Sequence, residues 1–142
     1  MTRQPHLQPR VLGLVFVGGA CGALARWGIT ELVSSESQLG AIAGINIVGA
    51  LLLGLLLGTL VALGPDDGPR RAARLGLGTG FLGAFTTYST FAVDAAALSF
   101  RGDALVGAVY TFGSVVGGLI LAAGGLAIGG RIGRYARERR RT

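Results

Sequence analysis

Residues 85–91 read Phe-Thr-Thr-Tyr-Ser-Thr-Phe. Four aliphatic hydroxyls (Thr86, Thr87, Ser89, Thr90) and the phenol of Tyr88 stand between the rings of Phe85 and Phe91, inside an apolar stretch running from Leu75 to Phe100. In a hydrocarbon layer such groups need internal partners or a water-filled path. Further donors interrupt other apolar stretches: Asn46, Tyr110 and Ser114. Tyr110, Ser114 and Gly118 follow at i, i+4 and i+8 and share one helix face. Hydroxyl and amide donors can replace the water shell of a small anion. The edges of the aromatic rings carry partial positive charge and favour an anion in the ring plane. No Lys or Arg lies deep in these stretches, and a fixed cation would hold an anion too tightly for passage. The set suits a small, strongly hydrated anion that must both enter and leave. The same residues support a second reading, in which the hydroxyls bond to backbone carbonyls and repair a break in a helix. The residues alone leave both open.

The elements that position these groups follow from composition. The chain has 142 residues, is 51% hydrophobic and carries charge on only 14% of positions. Its mean hydropathy is +0.60. Glycine accounts for 26 residues. Glycine scattered among Leu, Val and Ala is typical of membrane helices packed closely together. The single cysteine, Cys21, excludes an intrachain disulfide and suggests no Cys-based metal site. Lying among Gly and Ala, it reads as a small packing residue.

Residues 1–10 form a polar tail that holds His6, the lone histidine. A four-helix transmembrane domain is expected over 11–130, with spans at about 11–33, 39–63, 75–100 and 104–130. A basic tail, 131–142, closes the chain. Each run is long enough for about 20 apolar residues to cross the bilayer core as a helix. The basic start and the Ala23-Leu24-Ala25 sequence also resemble a cleavable signal peptide, but three more apolar runs follow. Arg26 sits near the end of the first span, either snorkelling to the interface or standing at a pore mouth. Trp27 beside it fits an interfacial belt. The 64–74 loop contains two Gly-Pro steps, two acids and three arginines, and Arg101-Gly102-Asp103 reads as a tight turn. Small-xxx-small pairs recur at Gly18/Gly22, Gly40/Gly44, Gly54/Gly58, Gly76/Gly80, Gly113/Gly117 and Gly125/Gly129. They imply a compact, oligomeric bundle. The glycines at 76–83 favour close packing or a broken helix. The fold class is therefore all-α, embedded in a lipid bilayer.

Several chemistries find no footing. Gly78-Thr79-Gly80-Phe81-Leu82-Gly83 matches G-x-G-x-x-G in letters but lacks the strand and βαβ unit that the dinucleotide motif needs. There is no Ser/His/Asp set, and no two carboxylates share a span, so the chain reads as non-enzymatic. Asp94 is the one carboxylate well inside a span. It keeps open an alternative class, a small transporter coupled through that acid.

The net charge is +6 and all 13 basic residues are Arg. They sit in the tails and one loop without interleaved aromatics, so they read as a topology signal rather than a nucleic-acid face. Four spans place both tails and the 64–74 loop on one side. That side holds 11 of the 13 arginines, leaving Arg26 and Arg101 opposite. The positive-inside rule then puts both termini in the cytoplasm of an inner-membrane protein.

The run Gly80-Phe-Leu-Gly-Ala-Phe-Thr-Thr-Tyr-Ser-Thr-Phe91 resembles the signature of the Fluc/CrcB fluoride channels. So do Gly18-Gly-Ala-Cys-Gly-Ala-Leu-Ala-Arg26-Trp27 and Asn46-Ile-Val-Gly49. The resemblance covers nearly the whole chain between its tails, in order and spacing. It implies a passive, fluoride-selective export channel that lowers cytoplasmic fluoride. It also implies a four-helix subunit with its third helix broken at the centre, and an antiparallel dimer with two narrow pores. By the same resemblance, Tyr88 and Phe91 take the ring positions that contact fluoride and Asn46 donates to the anion. Ser89 and Thr90 form a polar track that Tyr110 and Ser114 continue, and Arg26 stands in the vestibule. Backbone carbonyls of Gly83 and Thr86 would cage a structural sodium ion at the dimer centre. Two positions depart from the pattern: Tyr88 replaces the usual Phe and Asp94 the usual Glu. An antiparallel homodimer requires one sequence to insert both ways, which favours weak charge bias. The arginine asymmetry instead predicts insertion mainly one way, and a heterodimer with an oppositely oriented paralogue as the alternative to a homodimer. A third possibility is a non-conducting partner subunit with a silent pore at Tyr88.

Overall fold

A computed structural model describes residues 9–139. They are helical throughout, joined by short turns. Helix α1 is Pro9–Glu31, and α2 is Gln38–Leu63, entered through a short 3₁₀ turn at Ser35–Ser37. Helix α3 covers residues 68–85 and changes character along its length. It is α-helical over Gly68–Ala73, widens to a π-helix over Arg74–Leu82, and closes with one α turn at Gly83–Phe85. Helix α4 is Tyr88–Phe100 and α5 is Ala104–Arg139.

Three of these are long and apolar enough to cross a membrane: Pro9–Glu31, Ser35–Leu63 and Ala104–Arg139. The stretch expected as one span at 75–100 is divided between α3 and α4. Helix α3 starts early, within the 64–74 loop, where Asp67 and Pro69 open it. Proline suits a first helical turn because its missing N–H would be unpaired there anyway. Helix α5 runs past Gly130 through Arg139, so the basic segment expected as a separate tail at 131–142 continues the helix as far as the structure describes it. The turn at residues 101–103 is a helix C-cap. Gly102 adopts φ +86°, which a side chain would resist, and the Asp103 N–H donates to the Leu98 carbonyl at 3.0 Å.

Glycines set how the helices meet. A Cβ built on Gly54 or Gly58 of α2 would collide with the carbonyl oxygens of Ala122 and Leu126 on α5. Reciprocally, one on Gly125, Gly129 or Gly133 would strike Leu51, Leu55 and Thr59. Backbones at this distance gain dispersion contact along the whole seam, which is how helices associate when lipid removes the hydrophobic drive between them. Numbers rise together on both helices, so α2 and α5 run parallel. Helices α1 and α3 form a second parallel pair, with Gly18 against the Gly76 carbonyl, Gly22 against that of Phe81, and Gly80 against Val15. Here the glycines at 76–80 give close approach and a widened helix, not a break. Helix α2 runs antiparallel to α3: Gly78 lies beside Leu53 and Leu56, while Gly49 meets Thr86. Pro9, the 64–67 loop and Arg139 therefore lie at one end of the bundle. The pairs Gly40/Gly44 and Gly113/Gly117 make no comparable approach, and a Cβ on Gly40, Gly44 or Gly113 would meet nothing within 4 Å.

The core is small: Ile42, Ile45, Leu82 and Phe85 are buried, with Ala25, Leu56, Phe81 and Phe91 packed around them. Large apolar side chains point outward instead, among them Phe16 at 76% and Phe112 at 70% exposure. Apolar surface on this scale marks a lipid or partner environment rather than water.

Gly129→Leu forces two backbones apart and is expected to destabilise the chain by about 1–3 kcal/mol or more. Gly13→Ala meets open space and is expected to change stability by less than about 0.5 kcal/mol. Thermal unfolding in detergent micelles compares the two. Equal melting temperatures for both variants would refute the glycine-seam account.

Candidate functional site

Helical structure stops at Phe85 and resumes at Tyr88. Thr86 (φ −76°, ψ 155°) and Thr87 (φ −142°, ψ 125°) are extended. Two extended residues between apolar helices leave backbone N–H and C=O groups without helical partners, which is costly away from water. Several of these groups are dealt with locally. The Asn46 amide, from the middle of α2, meets the Thr87 backbone twice: the Thr87 N–H donates to Oδ1 at 2.8 Å, and Nδ2 donates to the Thr87 carbonyl at 2.9 Å. The backbone groups themselves fix which way the amide points, since an N–H requires the oxygen and a carbonyl requires the nitrogen. One Nδ2 hydrogen remains for another acceptor. Gly49, one turn along α2, is bare enough for the Thr86 methyl to sit where its Cβ would be.

The hydroxyls divide the remaining work. Thr86 Oγ1 donates to the Leu82 carbonyl at 2.9 Å and closes α3. Thr87 is buried (9% exposed) and its Oγ1 accepts from the Thr90 N–H at 3.3 Å, capping α4. An N-cap hydroxyl of this kind contributes about 1 kcal/mol. Thr90 Oγ1 lies 3.2 Å and Ser89 Oγ 3.3 Å from the same oxygen. Thr87 is thus the centre of the cluster, a role the residue types did not single out. Its position three residues before Thr90, ahead of an apolar run, is the N-cap pattern that could have found it.

Asn46, Gly83, Thr86, Tyr88, Phe91 and Ser114 all line one open cavity of ≈ 380 Å³, together with Gly49, Thr87 and apolar neighbours, and no charged side chain borders it. Tyr88 is 81% exposed, and its hydroxyl makes no hydrogen bond among the described residues. The hydroxyl that distinguishes it from Phe therefore meets no obstruction among them. Phe91 is half-buried between two aromatic neighbours, 6.3 Å from the Tyr88 ring and 5.2 Å from that of Tyr110, both tilted. Such pairs add about 0.5–1.5 kcal/mol each to simple burial. A second notch of ≈ 190 Å³ is lined by Arg26, Thr30, Gln38, Ile42, Thr90 and Asp94. The Tyr110 hydroxyl reaches Asp94 Oδ2 at a long 3.5 Å. Arg26 neither snorkels freely nor stands alone: its Nε donates to the Ala84 carbonyl at 3.2 Å, tying α1 to the last turn of α3. Of the ten residues singled out by sequence, six share the first cavity. Arg26 and Thr90 border the second, Tyr110 lines neither but touches Phe91 of the first and Asp94 of the second, and Ser89 lies exposed beside the Thr87 cap.

The carbonyls of Gly83 and Thr86 would bond, in a continuous helix, to the N–H groups of Thr87 and Thr90. Those two donate instead to Asn46 Oδ1 and Thr87 Oγ1. The two oxygens are left open at the C-terminal, electronegative end of α3. Hard carbonyl oxygens in such a field suit a small hard cation such as sodium. One chain supplies two of them, too few to enclose an ion, and a second copy would double the set.

Asn46→Leu strands the N–H and carbonyl of Thr87 together, with an expected loss of about 2–6 kcal/mol. Tyr88→Phe removes a hydroxyl that bonds to nothing among the described residues and is expected to cost less than about 0.5 kcal/mol. Thermal melts in micelles read both. An Asn46→Leu protein as stable as the parent would show that the clasp is not what supports the break.

Comparison with known proteins gives the same direction throughout. The family described as CrcB-like protein, Camphor Resistance (CrcB), matches residues 13–126. A Leifsonia xyli subsp. xyli protein named fluoride-specific ion channel FluC 2 is 42% identical over 129 residues, covering 90% of this chain and 89% of its own. In Cutibacterium acnes two relatives occur. One named fluoride-specific ion channel FluC 1 is 46% identical over 118 residues (81% of this chain, 82% of its own). One named FluC 2 is 36% identical over 121 residues (83% and 96%). With the family match spanning the α1–α3 seam, Asn46 and the Thr86–Thr87 break alike, this chain belongs to the CrcB family.

Proposed function

We propose that this protein is a fluoride-selective channel that lets the anion leave the cytoplasm passively. The observation that carries the reading is the uncharged cavity at the helix break. It brings an amide, a hydroxyl and two ring edges (Asn46, Ser114, Tyr88, Phe91) around one space without any fixed charge. An anion there trades water for weak donors, and no salt bridge delays its exit. The relatives named as fluoride-specific channels supply the identity of the ion. In this reading α3 and α4 make one crossing interrupted at its middle, giving four spans. The anion contacts Tyr88 and Phe91, uses the spare Nδ2 hydrogen of Asn46, and follows Ser89, Thr90, Tyr110 and Ser114. Arg26 attracts it at the vestibule.

The exposed Tyr88 and Ser89 and the half-formed carbonyl set of Gly83 and Thr86 are accounted for by a second subunit in antiparallel orientation. A sodium ion would then sit between the copies and neutralise the facing α3 carboxyl-terminal dipoles. Both termini are assigned to the cytoplasm of the inner membrane, on the arginine-rich end. That bias, 11 arginines against 2, also favours one dominant orientation and hence a heterodimer with an oppositely inserted paralogue. The two Cutibacterium acnes relatives are a precedent for paired genes of this family in one organism.

Liposomes carrying the purified chain are expected to release fluoride and retain chloride, without any imposed proton gradient. Phe91→Ala, which removes a ring edge from the path, should slow fluoride release at least tenfold. Folded protein that gives no flux alone but conducts when co-reconstituted with a paralogue establishes the heterodimer. Chloride release equal to fluoride release would end the selectivity claim. Orientation is read by labelling single cysteines introduced at either end of a Cys21→Ala background, and equal labelling from both sides would overturn the one-way insertion.

A further inference from the structure

The bundle end that holds Leu63, the 64–67 loop and the last turns of α5 carries unpaired positive charge. Two acids there are committed: Asp67 to Arg70 at 2.8 Å and Asp66 to Arg74 at 2.7 Å. The hydrogen bond from Arg74 holds the Asp66 carboxyl below its usual pKa, and the charges of Arg74 and Arg71 add to the effect. Among the described residues, Arg131, Arg134 and Arg137 form no salt bridge, Arg71 lies near Asp66 and helps to lower its pKa, and Glu138 is a third acid at this end.

Arg70 and Arg137 face each other across a cavity of ≈ 350 Å³ whose other walls are Leu63 and Pro69. Arg70 uses Nε on the Pro65 carbonyl and Nη2 on Asp67, leaving Nη1 uncommitted. The helix register fixes the depth of this notch. Gly133 of α5 packs on Thr59 and Ala62 of α2, so Arg137, one turn on, stands level with the end of α2 at Leu63. That is where the apolar run of α2 stops and the headgroup layer begins. Helix α5 has 36 residues, about 54 Å at 1.5 Å per residue, against a hydrocarbon core of about 30 Å. Its arginine-bearing turns therefore lie beyond the core. Exposed Val61 and Ile132 at the same end offer acyl chains an apolar surface. Two guanidinia over apolar walls at headgroup depth match one ligand chemistry, a phosphodiester with hydrocarbon attached.

We propose that the notch between Arg70 and Arg137 binds the headgroup of an anionic phospholipid and thereby ties the start of α3 to the end of α5. The site is separate from the ion path and does not depend on what the channel conducts.

The purified full chain in neutral detergent, mixed with dioleoylphosphatidylglycerol or dioleoylphosphatidylcholine, tests this by native mass spectrometry. Phosphatidylglycerol should be retained in preference to phosphatidylcholine. Arg137→Gln and Arg70→Gln should each weaken its retention roughly fivefold. Arg137→Lys should recover part of the loss, and Arg101→Gln, at the opposite end, should change nothing. Equal retention of the two lipids, or unaltered retention in both Gln variants, would overturn the site. Displacement of the lipid by millimolar inorganic phosphate would also overturn the lipid assignment, since it would identify a free-anion site.

Discussion

A main-chain break inside an apolar layer is tolerable only if the peptide groups it frees find partners, and the arrangement of this chain follows from that requirement. At Thr86–Thr87 the partners are side chains. Asn46 offers the Thr87 backbone a donor and an acceptor in the spacing of a neighbouring strand. Thr87 and Thr86 close the two helix ends with their own hydroxyls. Because Asn46 lies on another helix, the break holds only while α2 is seated against α3. Gly49 permits that seating by leaving room for Thr86. The clasp therefore converts a local defect into a tertiary contact, and it leaves two carbonyls and one amide hydrogen unspent in the place where a polar path is useful.

The glycine seams solve the complementary problem of holding helices together without a water-driven core. Helix α2 lies along α5, and α1 along α3, with backbones so close that no side chain fits between them. Each seam joins parallel helices, which places the 64–67 loop with Pro9 and Arg139 and gathers most of the described arginines at one pole. Close seams also explain why so few side chains are fully buried: the contact is largely backbone on backbone, and the larger residues are left to face outward. The pairs Gly40/Gly44 and Gly113/Gly117 remain outside both seams.

Much of this was legible in the residues. Apolar run lengths mark the helices, since a membrane-length helix advertises itself by composition, and the turn at Gly102 follows from its neighbours. The cluster from Thr86 to Phe91 was recognisable as unusual because hydroxyls in an apolar run demand an account. The residues alone leave two readings of it open, solvation of an anion and repair of a break, and the hydrogen bonds at the break bear on the second. Thr86 and Thr87 serve the helix ends, and Asn46 holds the break with half of its amide. Tyr88, Phe91 and Ser114 line the cavity, and among the described residues the Tyr88 and Ser114 hydroxyls have no hydrogen-bond partner. The glycine-rich half of the stretch was as good a candidate for the break as the hydroxyl half. It became a π-helix packed on α1, because glycine there is consumed by close approach.

Composition and local pattern carry the helical, lipid-facing character of the chain and the kinship borne by the run from Gly80 to Phe91. These are local or compositional properties, set by how each short segment meets water or hydrocarbon. Tertiary structure alone decided that Asn46 pairs with Thr87, 41 residues away. It also decided which four-residue glycine repeats become seams, and that Arg70 and Arg137 share one notch. Each of those depends on the register in which helices distant in sequence lie against one another, and register is a property of packing that no single segment contains.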